Sequence, residues 1–85
     1  MYLHIGSNIV IENKNIIGIF DIDKLTIQKT AREYLSLAEK NGQIENVSPY
    51  DIPKSFIVTN ENNGQKIYIS PLNVQTLLKR LSEKT

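Results

Sequence analysis

Apolar positions along this 85-residue chain follow two different periods. Near the start the period is two. Leu3 and Ile5 share one face of a strand predicted from Tyr2 to Ile5. Gly6-Ser7 predicts a turn, and Ile9-Val10-Ile11 a second short strand. Glu12-Asn13-Lys14-Asn15 is polar and predicts a tight turn. Ile16 to Ile22 is the most apolar strand, expected to close a hairpin with residues 8–12. Its apolar run is nearly continuous, so periodicity does not assign its faces.

The period then becomes helical. Ile27, Ala31, Tyr34, Leu35 and Ala38 fall on one stripe, with Gln28, Lys29, Arg32, Glu33, Ser36 and Glu39 on the polar side. The pattern predicts a helix near residues 26–41, with Thr26 as N-cap and Asn41-Gly42 as its stop. Tyr34, on the stripe, is expected in the core. Ile44 to Val47 predicts a short strand, and Pro49 to Pro53 a loop. Ser55–Thr59 and Gln65–Ser70 predict two more strands, joined through Asn60-Glu61-Asn62-Asn63-Gly64. Ser70-Pro71 resembles a helix start. Val74, Leu77, Leu78 and Leu81 mark the buried face of a C-terminal helix near 71–83. The order β-β-β-α-(β)-β-β-α predicts a single α+β domain over residues 1–85. Two helices are expected on one side of a small, mainly antiparallel sheet.

Composition agrees. Thirteen Ile against eight Leu and four Val favour sheet over a helical bundle. The chain has no cysteine and one histidine, which excludes disulfides, thiolate metal sites and, within one chain, sites built on several histidines. No cofactor is expected. No run approaches a membrane span of roughly 20 apolar residues, and no signal peptide is visible. A soluble cytoplasmic protein is expected, without membrane or small-molecule partners. Ten Lys and Arg nearly cancel nine Asp and Glu. One copy would therefore bind DNA weakly, and only a repeated patch would accumulate affinity.

Asp21-Ile22-Asp23 at a strand end resembles the phosphotransferase motif of the haloacid dehalogenases. Leu25 departs from that motif, and the chain is too short for the doubly wound sheet that presents it. Acids placed before a helix also suit its dipole, so no enzyme is expected. His4, a lone histidine in an apolar strand, is expected to be structural rather than a general base. Among the tyrosines, Tyr50 is the best candidate for an interface contact. The candidate DNA contacts are Lys14, Lys54, Lys79 and Arg80, with Lys84 beside them.

Met1-Tyr2-Leu3-His4-Ile5-Gly6, Asn8-Ile9-Val10, Ile19-Phe20-Asp21, Thr30-Ala31-Arg32-Glu33, Pro53-Lys54-Ser55-Phe56-Ile57-Val58 and Ile69-Ser70-Pro71 occur in that order. In sequence and spacing they resemble the RemA/RemB family of bacterial extracellular-matrix regulators, the RemB branch most closely, over residues 1–82. The resemblance implies a LytTR-like fold and a cyclic homo-oligomer. It also implies a cytoplasmic transcriptional regulator of biofilm-matrix genes that holds double-stranded DNA by its backbone. The RemA branch carries Gly-Arg-Arg-Thr-Arg-Ala where this chain has Tyr50-Asp51-Ile52-Pro53-Lys54-Ser55. Lys54 keeps one positive position, whereas Asp51 and Ile52 replace an arginine pair. An Arg-to-Asp change alters local charge by two units and opposes a phosphate contact. The alternative implied by that departure is an oligomeric scaffold, a protein-interaction partner in the same network that does not bind DNA.

Overall fold

The computed structural model describes residues 1–22, 28–61 and 64–83. Thr26, Ile27, Asp23, Leu25, Asn62-Asn63 and Lys84, singled out above, lie outside the described residues. Strands β1 (Tyr2–Gly6) and β2 (Ile9–Glu12) form a two-stranded antiparallel hairpin. Strands β3 (Ile16–Asp21), β4 (Ile44–Asn46), β5 (Ser55–Glu61) and β6 (Gly64–Ser70) form a second sheet in the order β3-β5-β6-β4. The β5–β6 hairpin runs from Ser55 opposite Ser70 to Glu61 opposite Gly64, as the sequence predicts. β4 lies parallel to β6, so the sheet is mixed rather than purely antiparallel.

The expected β2–β3 hairpin does not form. Asn13–Asn15 makes a 3-10 turn, and the Asn13 N–H donates to the Met1 carbonyl at 2.8 Å. That turn completes the first hairpin and redirects the chain. β3 then pairs with β5, placing its isoleucines beside the most buried strand of the protein.

Alternation along β5 explains the layering. Ile57, with Tyr68 beside it, faces a core containing Leu3, Ile5, Ile11, Val47 and Leu77. Phe56, Val58 and Ile67 face a second core around Ala38. Helix α1 (Lys29–Lys40) contributes Leu35 and Ala38 to the second core. Helix α2 (Val74–Glu83) contributes Leu77 and Leu81 to the first, together with the β1–β2 hairpin. The helices therefore cover opposite faces, not one side. A central strand covered on both faces reads as a continuous apolar run, which is why Phe56-Ile57-Val58 shows no alternation in the sequence.

Both helices are shorter than predicted. At α1 the N-cap is Gln28, without a side-chain cap, while Asn41 and Gly42 (φ 71°) end the helix as expected. α2 starts at Val74, where Asn73 Oδ1 accepts from the Thr76 N–H at 2.8 Å. Ser70 is committed elsewhere: its hydroxyl donates to the Ile5 carbonyl at 2.6 Å and accepts from the Leu72 N–H at 3.0 Å. Two stripe residues also depart from the expected core. Leu78 is 51% exposed, at the margin of the face that Leu77 and Leu81 bury, and Tyr34 is 41% exposed with its hydroxyl donating to Gln65 Oε1 at 2.9 Å.

Two bulges shape the strands. His4 pairs with Val10 and Gly6 with Ile9, leaving Ile5 as the extra residue, fully buried. Ile16 pairs with Thr59 and Gly18 with Val58, leaving Ile17 as the extra residue, pushed outward. The Phe20 ring lies over Gly18, where an added Cβ would sit 2.6 Å from it, and stacks on Phe56 at 5.2 Å.

Candidate functional site

The four cations expected to contact DNA do not form one patch. Lys14 sits in the 3-10 turn before β3, and Lys54 just before β5. Because β3 and β5 are antiparallel, with Asp21 opposite Ser55 and Ile16 opposite Thr59, these lysines occupy opposite ends of the sheet. The six residues of β3 separate them by about 17 Å at strand rise. Lys14 Nζ lies 3.5 Å from Glu12 Oε2 in an exposed ion pair of little energetic weight. Lys54 is exposed, but its backbone is fixed: its N–H donates to the Ser70 carbonyl and its carbonyl accepts from Ile22. Lys79 and Arg80 lie on the exposed side of α2, and Arg80 Nη1 donates to the His4 carbonyl at 3.0 Å. That bond ties α2 to β1 and holds the guanidinium over the hairpin.

His4 itself is structural. Its Nε2 is 2.7 Å from the Ser7 carbonyl, which can only accept, so Nε2 carries the proton. Ser7, at φ 48°, donates its hydroxyl to the Val47 carbonyl at 2.8 Å and lies 2.8 Å from Ser48 Oγ. These contacts join the first hairpin to the loop that follows β4.

That loop carries the two most exposed large apolar side chains among the described residues. Val47 is buried and bonded to the Ile69 carbonyl, and the Asp51 N–H donates to the Ser48 carbonyl. Between these anchors and Lys54, Tyr50 is fully exposed and Ile52 is 79% exposed, with exposed Asp51 between them. Tyr50 is where the sequence placed an interface residue. Pro49 and Pro53 bracket the segment and keep it out of strand pairing.

A groove of about 470 Å³ opens between α1 and β3. Phe20, Phe56 and Val58 line it, with Ala31 and Tyr34 on the helix side and the bulged Ile17 on the strand side. Periodicity alone did not reveal it. Its signals were local: a glycine that lets Phe20 fold over the strand, and a bulge that turns Ile17 outward.

A polar cluster closes the far end of the β5–β6 hairpin. The Tyr68 and Thr59 hydroxyls donate to Glu61 Oε2 at 2.9 and 3.1 Å. Burial, then the bond to Glu61, raises the Tyr68 phenol above its ordinary pKa. Lys66 bridges to Glu45 at 2.9 Å and lies 5.0 Å from the Tyr68 ring centre. Its hydrogen bond to Glu45 is the main cause of its own raised pKa. These contacts are structural. Among the described residues no group of three or more His, Cys, Asp or Glu is placed to hold a metal ion, and no helix is long and apolar enough to cross a membrane.

Comparison with known proteins matches residues 2–81 to the RemA-like family, described as extracellular matrix regulatory protein A-like. Extracellular matrix regulatory protein B of Bacillus subtilis (strain 168) is 38% identical over 80 residues, covering 94% of this chain and 89% of that protein. With a family match across almost the whole chain and a relative of nearly equal length, this chain belongs to the RemA-like family of extracellular matrix regulatory proteins.

Proposed function

We propose that this chain regulates extracellular-matrix genes from the cytoplasm, as a cyclic homo-oligomer that holds double-stranded DNA through its phosphate backbone. The observation that carries this reading is where apolar side chains meet water. Among the described residues, nine large hydrophobics are exposed. Single exposed apolar residues are ordinary. Here Tyr50 and Ile52 share one loop, while Ile17 and Tyr34 border one groove. Grouped exposure of that kind marks interaction surfaces. Repetition of one heterologous contact closes a ring when its rotation permits.

The net charge of one copy is only +1, and its exposed cations are spread over two ends of a sheet and both helices. Affinity for phosphate then depends on copy number. Lys54 and Lys14 supply the leading contacts, with Lys79 and Arg80 behind them. Lysine is a flexible point charge suited to phosphate rather than to bidentate base reading. Lys54→Ala should weaken binding to specific and random DNA by similar factors and reduce the salt slope by about one per contacted subunit. Wild-type affinity in a Lys14→Ala/Lys54→Ala variant that still assembles would remove these residues from the site.

A second reading, a scaffold that does not bind DNA, is favoured by Asp51 and Ile52, which put an acid and an apolar group where the RemA branch has arginines. Absence of DNA binding by wild-type protein at low salt would make the scaffold the leading function.

A further inference from the structure

The loop after β4 and the groove beside α1 match in size, polarity and charge. The loop presents two large apolar side chains flanking one acid, Tyr50-Asp51-Ile52, held out by Pro49 and Pro53. Tyr50 is fully exposed, so it does not fill the groove of its own chain. The groove is walled by Ile17, Phe20, Tyr34, Phe56 and Val58, and its volume of about 470 Å³ accommodates side chains of that size.

The groove ends at the first turn of α1. Gln28, Thr30 and Ala31 line that end, and exposed Lys29 stands between the first two in sequence. The first turn contains no acidic residue, and the N-cap Gln28 supplies no side-chain hydrogen bond. A lysine at the positive end of a helix dipole adds charge of the same sign. An acidic group arriving with an apolar segment is therefore favoured there. The Tyr50–Ile52 loop carries one.

We infer that Tyr50 and Ile52 of one copy insert into the α1–β3 groove of the next, bringing Asp51 to the Lys29 end of the helix. The occupant is a second copy because this chain itself carries a segment matching both the apolar walls and the charge at their end. Loop and groove are different surfaces, so the contact is heterologous and propagates from copy to copy. This inference deepens the oligomer reading above and rests on it. It also gives Asp51 a place: buried at a subunit contact, it no longer opposes phosphate, and Lys54 remains at the edge of that contact.

The test mixes two crippled surfaces. Tyr50→Ser/Ile52→Ser removes the loop's apolar pair and leaves the groove intact. Ile17→Lys blocks the groove and leaves the loop intact. All three positions are exposed, so both variants should keep the wild-type circular dichroism spectrum and melting temperature. Light scattering should find the wild type at a multiple of 9.7 kDa and each variant alone at 9.7 kDa. An equimolar mixture should give a particle of twice that mass and no larger, because one intact loop meets one intact groove and propagation then stops. Should Ile17→Lys unfold the edge strand, Lys29→Glu serves instead. It should weaken assembly at least tenfold in midpoint concentration, and Asp51→Lys in the same chain should restore it. Variants that assemble like the wild type would overturn this interface while leaving oligomerisation standing. A wild type at 9.7 kDa throughout the micromolar range would overturn the oligomer reading itself.

Discussion

Replacing Ser70 by Ala should be among the most costly single-atom deletions in this protein. The side chain is fully buried. Its hydroxyl donates to the Ile5 carbonyl at 2.6 Å and accepts from the Leu72 N–H at 3.0 Å, joining β6 to the first hairpin and to the segment entering α2. Ile5 is the extra residue of the β1 bulge, without a register partner in β2. Alanine leaves the Ile5 carbonyl and the part-buried Leu72 N–H without this partner. At about 1–3 kcal/mol for each group left unsatisfied, the cost is about 2–6 kcal/mol. The whole domain, at about 0.05–0.15 kcal/mol per residue, has only about 4–13 kcal/mol to lose. Urea unfolding at one fixed protein concentration measures it, because assembly makes stability concentration-dependent. With m near 1–2 kcal/mol per molar, the midpoint should fall by at least about 1 M with m unchanged. Ser55→Ala, which removes only the donor to the Leu72 carbonyl at 2.7 Å, should cost about half as much. A Ser70→Ala loss below about 0.3 kcal/mol would refute the claim that this hydroxyl fixes the hairpin to the sheet.

Gly18→Ala should destabilise by about 1–2 kcal/mol, read by thermal melting, because the new methyl displaces the Phe20 ring from its stack on Phe56. The same change should weaken self-association, since Phe20 and Phe56 both line the groove. Alkaline pH should destabilise the fold. Lys66 and Tyr68 both have raised pKa values, so between the unfolded and folded values the native state holds more protons than the unfolded state. Their contribution is complete below about pH 10 and is lost as pH rises through the folded values. Tyr68→Phe should remove part of that slope in urea titrations run from pH 9 upward. Arg80→Ala should lower stability by about 0.5–1.5 kcal/mol through the lost bond to the His4 carbonyl, and should weaken DNA binding equally on all sequences in an anisotropy titration.

The sequence made some of this architecture legible and hid the rest for physical reasons. Helix α1 was visible because one of its faces meets solvent. The β5–β6 hairpin was visible through its turn residues and the alternation in Gln65–Ser70. The pairing of β3 was hidden, because an Ile-rich strand fits several neighbours and only the 3-10 turn at Asn13–Asn15 excludes β2. The start of α2 was misread at Ser70-Pro71 because a capping hydroxyl and a buried structural hydroxyl look alike in one dimension. Tyr34 was expected inside; it sits at the lip of a groove, where helical spacing is the same as in a core. Exposure at Tyr50 followed from its loop, whereas the groove facing such a residue depends on a bulge and a glycine contact. Lys14 is marked by its polar turn and Lys54 by the family resemblance, and neither signal carries their separation across β3, which depends on the strand order.

Assembled DNA binding is tested by titrating DNA into wild-type protein at 50 and 200 mM salt while measuring the mass of the bound particle. A particle containing several copies of the 9.7 kDa chain is expected, with affinity falling by roughly 10³-fold or more between the two salts, as when six or more phosphates are neutralised. Binding by a single 9.7 kDa chain, or no binding at 50 mM salt by a protein that does assemble, would contradict it.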